Sequence, residues 1–324
     1  MNHGGGGAAL GRQRAMAVAK IAVSALTLTY VLWAVPISQL WLIIKQAKPA
    51  FLLLALVLFL GTQLVSALRF AAIAKVLGRE LSAWRATEVH FVGLWMNQVL
   101  PTGLGGDVVK ILMLKDELGF GVALRAGIID RLSGLLILLV HAALFMPAYY
   151  LMYPTAPALW ILGAASAACL LAVVVACASE RTRDRLRGTR VLRPVASFGD
   201  DLAQVLRGRS LGKQFVMSVI IHLNGIAAYL LIGRAIGVDA GAVQFVLLTP
   251  ILFLISLVPV TFAGWGLREF GAIGLFGLAG VPAQQAVAMS VLFGILMIVA
   301  GLPGLALILY GSAKSEVASA RDGG

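Results

Sequence analysis

Charge is what this chain has least of. Asp, Glu, Lys and Arg together supply 12% of its 324 residues, against 60% hydrophobic residues. Globular chains carry about a quarter charged residues, so a water-facing surface cannot be assembled here. A mean hydropathy of +0.95 makes the same exclusion. Cysteine is nearly missing as well. Cys169 and Cys177 lie in one apolar run, where they serve as small packing residues, and that excludes a disulfide framework or a thiolate metal pair. The four histidines are scattered, with no HExxH and no Cys/His cluster, so no zinc site is expected. Gly208-Arg209-Ser210-Leu211-Gly212-Lys213 lacks the spacing and the terminal Ser or Thr of a P-loop, which removes an ATP-driven engine. No metal and no cofactor is called for.

What remains is apolar sequence in long runs. Residues 17–35, 50–74, 122–149, 157–178, 214–236 and 283–310 each approach or exceed the roughly 20 residues that cross about 30 Å of hydrocarbon. Two further stretches, 86–118 and 242–280, are interrupted. The first contains Asn97-Gln98-Val99-Leu100-Pro101-Thr102-Gly103-Leu104-Gly105-Gly106-Asp107, and the second Val258-Pro259-Val260-Thr261-Phe262-Ala263-Gly264-Trp265-Gly266-Leu267-Arg268-Glu269. Proline removes an amide donor and clashes with the preceding turn, and glycine raises the entropic cost of helical order. Pro101, Gly105 and Gly106, then Pro259, Gly264 and Gly266, therefore mark breaks or hinges. Each stretch reads as two legs of about 15 residues, roughly 22 Å long, that dip in and return. The expected fold is an all-α polytopic membrane protein with six full spans plus two re-entrant helical hairpins.

Basic residues orient this scheme. Nine of the Lys and Arg residues lie between Glu180 and Lys213, and nine more occupy the tails and short loops on the same side, against Lys45 and Lys48 on the other. That bias puts both termini and the 180–213 loop in the cytoplasm. The first hairpin then enters from the cytoplasm and the second from outside. The order span, span, hairpin, span is repeated with opposite orientation, an inverted repeat whose breaks fall near the membrane centre. The chain divides into a disordered cytoplasmic tail (1–16), a first repeat (17–150), a second repeat (151–312) and a cytoplasmic tail (313–324). The net charge of +12 sits in loops beside spans, as topology and anionic headgroups require, so no nucleic-acid partner is expected. The 180–213 loop has room for a short helix lying on the membrane surface.

Each charge inside the apolar stretches costs on the order of 2.5–3.5 kcal/mol at a helix centre by insertion scales. Arg69 and Arg234 fall near span ends, where long side chains reach the interface. Glu88, His90 and Arg125 are expected at the cytoplasmic face. Asp107, Lys110, Asp130, Arg131, Arg268 and Glu269 are the informative remainder. Lys110, Arg131 and Arg268 suit a phosphate or carboxylate. Asp107 and Glu269 fit equally as caps of their own helices or as functional acids. The two return legs begin with free amides and a partial positive charge, which also suits an anion. Opposite charges should pair, Asp130 with Lys110 and Arg131 with Asp107 or Glu269. Gly271, Gly274, Gly277 and Gly280 give one leg a small face for close helix contact.

Asn97 to Asp107 with Lys110, then Asp130-Arg131-Leu132-Ser133-Gly134, then Pro259 to Glu269, resemble the successive signatures of the lysylphosphatidylglycerol synthase/flippase transmembrane family. The likeness runs from the first span to the last. Asp130 stands where Glu is commoner, and Lys110 where Arg is commoner; Lys lacks the bidentate phosphate geometry of Arg. The resemblance implies a flippase-like integral protein of a bacterial cytoplasmic (inner) membrane, without the soluble synthase domain. It implies a transporter rather than an enzyme, moving an anionic or polyprenyl-phosphate-linked lipid between leaflets. Asn97 joins the six charged residues as a substrate-binding candidate on the same ground. Two other readings stand beside it. One is a scaffold for a separate synthase or glycosyltransferase, and the other an intramembrane lipid-modifying enzyme with Asp130 or Glu269 as general base.

Overall fold

A computed structural model describes residues 29, 31, 35–100, 105–178, 193–257, 261 and 264–322. Among these the secondary structure is helical: α1 (Ile37–Lys45), α2 (Pro49–Val76), α3 (Ala83–Val99), α4 (Gly105–Leu118), α5 (Phe120–Leu144), α6 (Met146–Met152), α7 (Pro157–Ala178), α8 (Arg193–Val205), α9 (Gly208–Ala235), α10 (Ala242–Leu257), α11 (Leu267–Gly277) and α12 (Ala283–Asp322). The 1–16 tail, most of the 17–35 run, Pro101 and Pro259 lie outside the described residues.

Local chemistry sets the boundaries. Pro49 opens α2, where its missing amide has no partner to lose. Ser82 caps α3 by accepting the Arg85 amide at 3.2 Å. Gly119, at φ 79°, separates α4 from α5 in a conformation that only glycine adopts readily. The expected 122–149 span ends early, because the chain turns at Phe145 and Pro147 starts the short α6. Pro250 sits inside α10 and leaves the Val246 carbonyl without its helical donor. The short helix expected within 180–213 is found there; the helices that follow it and that end the chain are longer than expected. The 180–213 segment contains α8 and the start of α9, and α12 continues to Asp322 through the expected C-terminal tail.

Among the described residues, four helices are long and apolar enough to cross a bilayer: α2, α5, α9 and the 283–310 part of α12. Large apolar side chains on them stay exposed, Leu53 and Val57 of α2 each at 63%. In water such faces would aggregate, and in a membrane they meet lipid. The protein is an integral membrane protein.

Helices α2 and α9 form the longest contact and run antiparallel. The Lys48 amide, just before α2, donates to the Ala235 carbonyl at the end of α9 (2.9 Å), while Arg69, late in α2, reaches Ser218, early in α9. Helices α3 and α4 fold back on each other, as do α10 and α11. Then α4 packs on α5 and α11 on α12, α3 crosses to α12 and α10 crosses to α5. Exchanging α2 with α9, α3 with α10, α4 with α11 and α5 with α12 leaves this set of contacts unchanged. The starts of α2 and α9, 49 and 208, are 159 residues apart, and so are those of α3 and α10, 83 and 242.

An aromatic cluster ties both sets together. Tyr229 of α9 lies 5.5 Å from Phe276 of α11 and 5.6 Å from Phe293 of α12, and Phe59 of α2 meets Phe293 at 5.5 Å, ring centre to ring centre. Glycine allows the tightest crossings. A side chain at Gly106 would enter the Gly93 carbonyl, and one at Gly304 of α12 would enter the Phe91 backbone of α3. Of the glycines expected to give α11 a small face, Gly271 alone meets a neighbour, Leu252 of α10; Gly274 and Gly277 face open space, and Gly280 is a turn residue at φ 76°.

Gly304→Ala should therefore destabilise the protein by about 1–3 kcal/mol through overpacking, lowering the midpoint of thermal unfolding in detergent. Gly274→Ala should leave that midpoint unchanged or slightly raised.

Candidate functional site

The charged residues gather in two places. The first lies where α2, α4, α5 and α9 meet. Asp130 of α5 is bound by Arg69 of α2, whose Nε donates to Oδ1 at 2.9 Å, while Nη2 donates to the Asp130 carbonyl at 3.1 Å. The third nitrogen, Nη1, donates to Ser218 Oγ of α9 at 2.9 Å. Arg69 is 6% exposed. This corrects two expectations. Arg69 does not reach the membrane interface, and Asp130 pairs with it instead of with Lys110. Arg234 does lie at the end of α9, donating to the Val238 carbonyl at 3.1 Å.

Asp107, in the first turn of α4, is shared by two cations. Arg131 Nε donates to its Oδ2, and Lys110 Nζ lies 4.0 Å from its Oδ1. The Lys110 ammonium also sits 4.6 Å from the centre of the Phe70 ring, a cation–π contact that partly replaces lost water. Lys110 is 6% exposed. Among the described residues, three cations thus face two carboxylates: Arg69, Lys110 and Arg131 against Asp107 and Asp130.

The second cluster is on α11 and α12. Arg268 and Glu269 pair at 3.1 Å, Arg268 Nε donates to Ser290 Oγ at 2.9 Å, and Ser290 donates to Glu269 Oε1 at 2.7 Å. Trp265 lies 5.1 Å from the guanidinium carbon. Arg268 is 3% exposed and Glu269 1%, and the pair is neutral. Glu269 Oε2 also accepts the Gly266 amide at 2.6 Å, so this acid caps its own helix. Gly264 and Gly266, at φ 81° and 86°, shape the turn that makes this possible.

At each expected free helix N-terminus one backbone amide is thus accepted by a side chain of the protein itself. Asn97 Oδ1 of α3 accepts the Gly106 amide at 2.8 Å and satisfies the start of α4, next to Gly105, as Glu269 does for α11. Asn97 joins the hairpin legs to each other. Nearer the outer ends of the legs, Arg85 holds Glu88 at 3.0 Å and Glu117 at 2.7 Å, and Arg125 holds Asp201 of α8 at 2.8 Å. His90 lies deeper than expected, its Nε2 3.0 Å from Gln63 Oε1.

The match of a family model settles the affiliation. The chain matches the lysylphosphatidylglycerol synthase transmembrane region over residues 17–304. It belongs to that family. No curated protein matches the chain. The family and the helical architecture make this a membrane protein of lipid-related type.

Sequence reasoning missed Arg69, Ser218, His222 and Ser290 as parts of these clusters. A signal was present. Thr62, Ser66 and Arg69 recur at helical spacing along α2, and Gln214, Ser218 and His222 recur every four residues along α9. Polar stripes on otherwise uniform apolar helices mark the faces turned inward.

Removing one partner of a buried pair leaves an uncompensated charge, worth about 3–5 kcal/mol. Asp130→Asn should therefore lower stability in detergent strongly. Replacing both partners, Arg69→Met with Asp130→Leu, should recover most of that loss in the same unfolding measurement.

Proposed function

We propose that this protein is a flippase-like lipid translocator, moving an anionic or polyprenyl-phosphate-linked lipid between leaflets of the cytoplasmic membrane. The observation that carries the reading is the surplus cation of the first cluster. In a low-dielectric interior an unmatched positive charge is costly, and an anionic headgroup phosphate or carboxylate offsets it. Lys110 shares Asp107 with Arg131, its ammonium 4.0 Å from Oδ1, and has no carboxylate to itself among the described residues. Asp107 serves as the exchangeable counter-ion, and Arg131 holds it in place while lipid enters or leaves.

The reading includes six full spans, two re-entrant hairpins and both termini in the cytoplasm. The first repeat covers 17–150 and the second 151–312. Its support is the exchange symmetry of the helix contacts, the antiparallel α2 and α9, and the 159-residue offset. Inverted repeats place their substrate sites where the two copies meet, near the bilayer midplane. Asn97 and the glycines at 105, 106, 264 and 266 then define where each hairpin bends. A separate synthase or glycosyltransferase would supply the lipid. A transporter is favoured over an enzyme by the burial of the chemistry. Ser290 beside Glu269 is a hydroxyl–carboxylate pair, yet both are sealed and already hydrogen-bonded to Arg268.

Full-length protein reconstituted in vesicles with fluorescent phosphatidylglycerol in the inner leaflet should expose that lipid to an external quencher. Lys110→Gln and Arg131→Ala should slow exposure about tenfold or more, and Arg268→Ala should slow it as well. Rates equal to the wild type for all three variants, across several anionic lipids, would overturn the reading.

A further inference from the structure

A cavity of about 290 Å³ opens between α2, α9, α10 and α12. Phe59, Ile221, Phe253 and Phe293 wall it, with Thr62, His222, Ser256 and Arg268 as its polar positions. It is about twice the roughly 150 Å³ cavity that takes up benzene, so it has room for about a dozen carbon atoms. Its depth follows from the seam beside it. Phe59 and Thr62 lie near the middle of α2, a 28-residue apolar helix, and His222 and Gly225 near the middle of α9. An apolar hollow at that level, in a protein with exposed Leu223 and Leu257 around it, meets hydrocarbon and not water.

Its polar groups are nearly all engaged. Thr62 Oγ1 donates to the Leu58 carbonyl at 3.0 Å and Ser256 Oγ to the Leu252 carbonyl at 2.8 Å. Arg268 is held and neutralised by Glu269, so the cavity presents no net charge to an anion. His222 differs. Its Nδ1 lies 2.8 Å from the Ser218 carbonyl, which can only accept, so Nδ1 carries the proton. In the neutral ring Nε2 is then an acceptor, and the described residues supply it with no donor.

We propose that this cavity is a second lipid-binding site, for an uncharged hydrocarbon chain with a hydrogen-bond donor, such as a hydroxyl, that binds His222 Nε2. It deepens the translocator reading and rests on it for the identity of the cargo. The charged cluster takes the anionic part of a lipid, and this cavity takes a neutral, donor-bearing part. The two sites are joined through one residue. Ser218 accepts Arg69 through its hydroxyl and His222 through its carbonyl, so a ligand at His222 is two hydrogen-bonded residues away from the Arg69–Asp130 pair.

The test uses full-length protein in vesicles of phosphatidylethanolamine and phosphatidylglycerol, with a diazirine-bearing twelve-carbon alcohol or its methyl ether as photoprobe. The alcohol should label peptides containing Ile221, Phe253 or Phe293 about three- to tenfold more than the ether, the usual value of one hydrogen bond. His222→Phe should make the two probes equal. Ser256→Phe should fill the cavity and abolish labelling there, with Thr62→Leu as a second, milder filling variant; thermal unfolding identifies which variants remain folded. Equal labelling by alcohol and ether in the wild type overturns the proposal, as does labelling unaffected by a folded filling variant. Labelling is read without transport. Slow leaflet exchange with intact labelling counts against the translocator alone, and the reverse counts against this site alone.

Discussion

Everything in this structure follows from the need to pair charge where water is absent. Arg69 shows the constraint at its strictest, since all three guanidinium nitrogens are spent on Asp130 and Ser218. One side chain thereby fixes α2, α5 and α9 at a common level. The hairpins obey the same rule with backbone groups. Asn97 and Glu269 reach across their own turns to satisfy amides that would otherwise be orphaned in a medium offering no substitute.

That rule explains the asymmetry between the two charged clusters. Arg268, Glu269 and Ser290 close on one another and leave no net charge. Arg69, Lys110 and Arg131 do not close on Asp107 and Asp130 alone. Two halves that share their helix contacts therefore differ in electrostatics. Among the described residues the first holds more cations than carboxylates, and the second borders a neutral, largely aromatic hollow.

Much of the architecture was legible in the sequence, because long apolar runs and proline–glycine breaks act locally. The break at Asn97–Asp107 separates α3 from α4, and that at Val258–Glu269 separates α10 from α11. Charge alone gave Arg131 either Asp107 or Glu269 as its partner, and the structure has Asp107. Arg69 was not paired, since its place near a span end pointed to the interface, while the stripe of Thr62, Ser66 and Arg69 that turns it inward went unread. Ser218 and His222 went unread in the same way, on the stripe they form with Gln214. The helix N-termini misled for another reason. A free amide in sequence is an anion site only if nothing nearby fills it, and Asn97 sits nine residues from the amide it accepts. Element ends at Phe145 and Asp322 were missed where a proline starts a short new helix or a helix outruns its apolar stretch.

The antiparallel seam of α2 and α9 has a mechanical consequence. Each half contributes one of its longest helices to it, and the two touch along their lengths and are hydrogen-bonded from Lys48 to Ala235. The halves cannot part like the leaves of a book without stripping this contact. Lys48 with Ala235, Gly61 with Asn224 and Arg69 with Ser218 hold the seam at three levels, so it is tied along both helices and not at a single point.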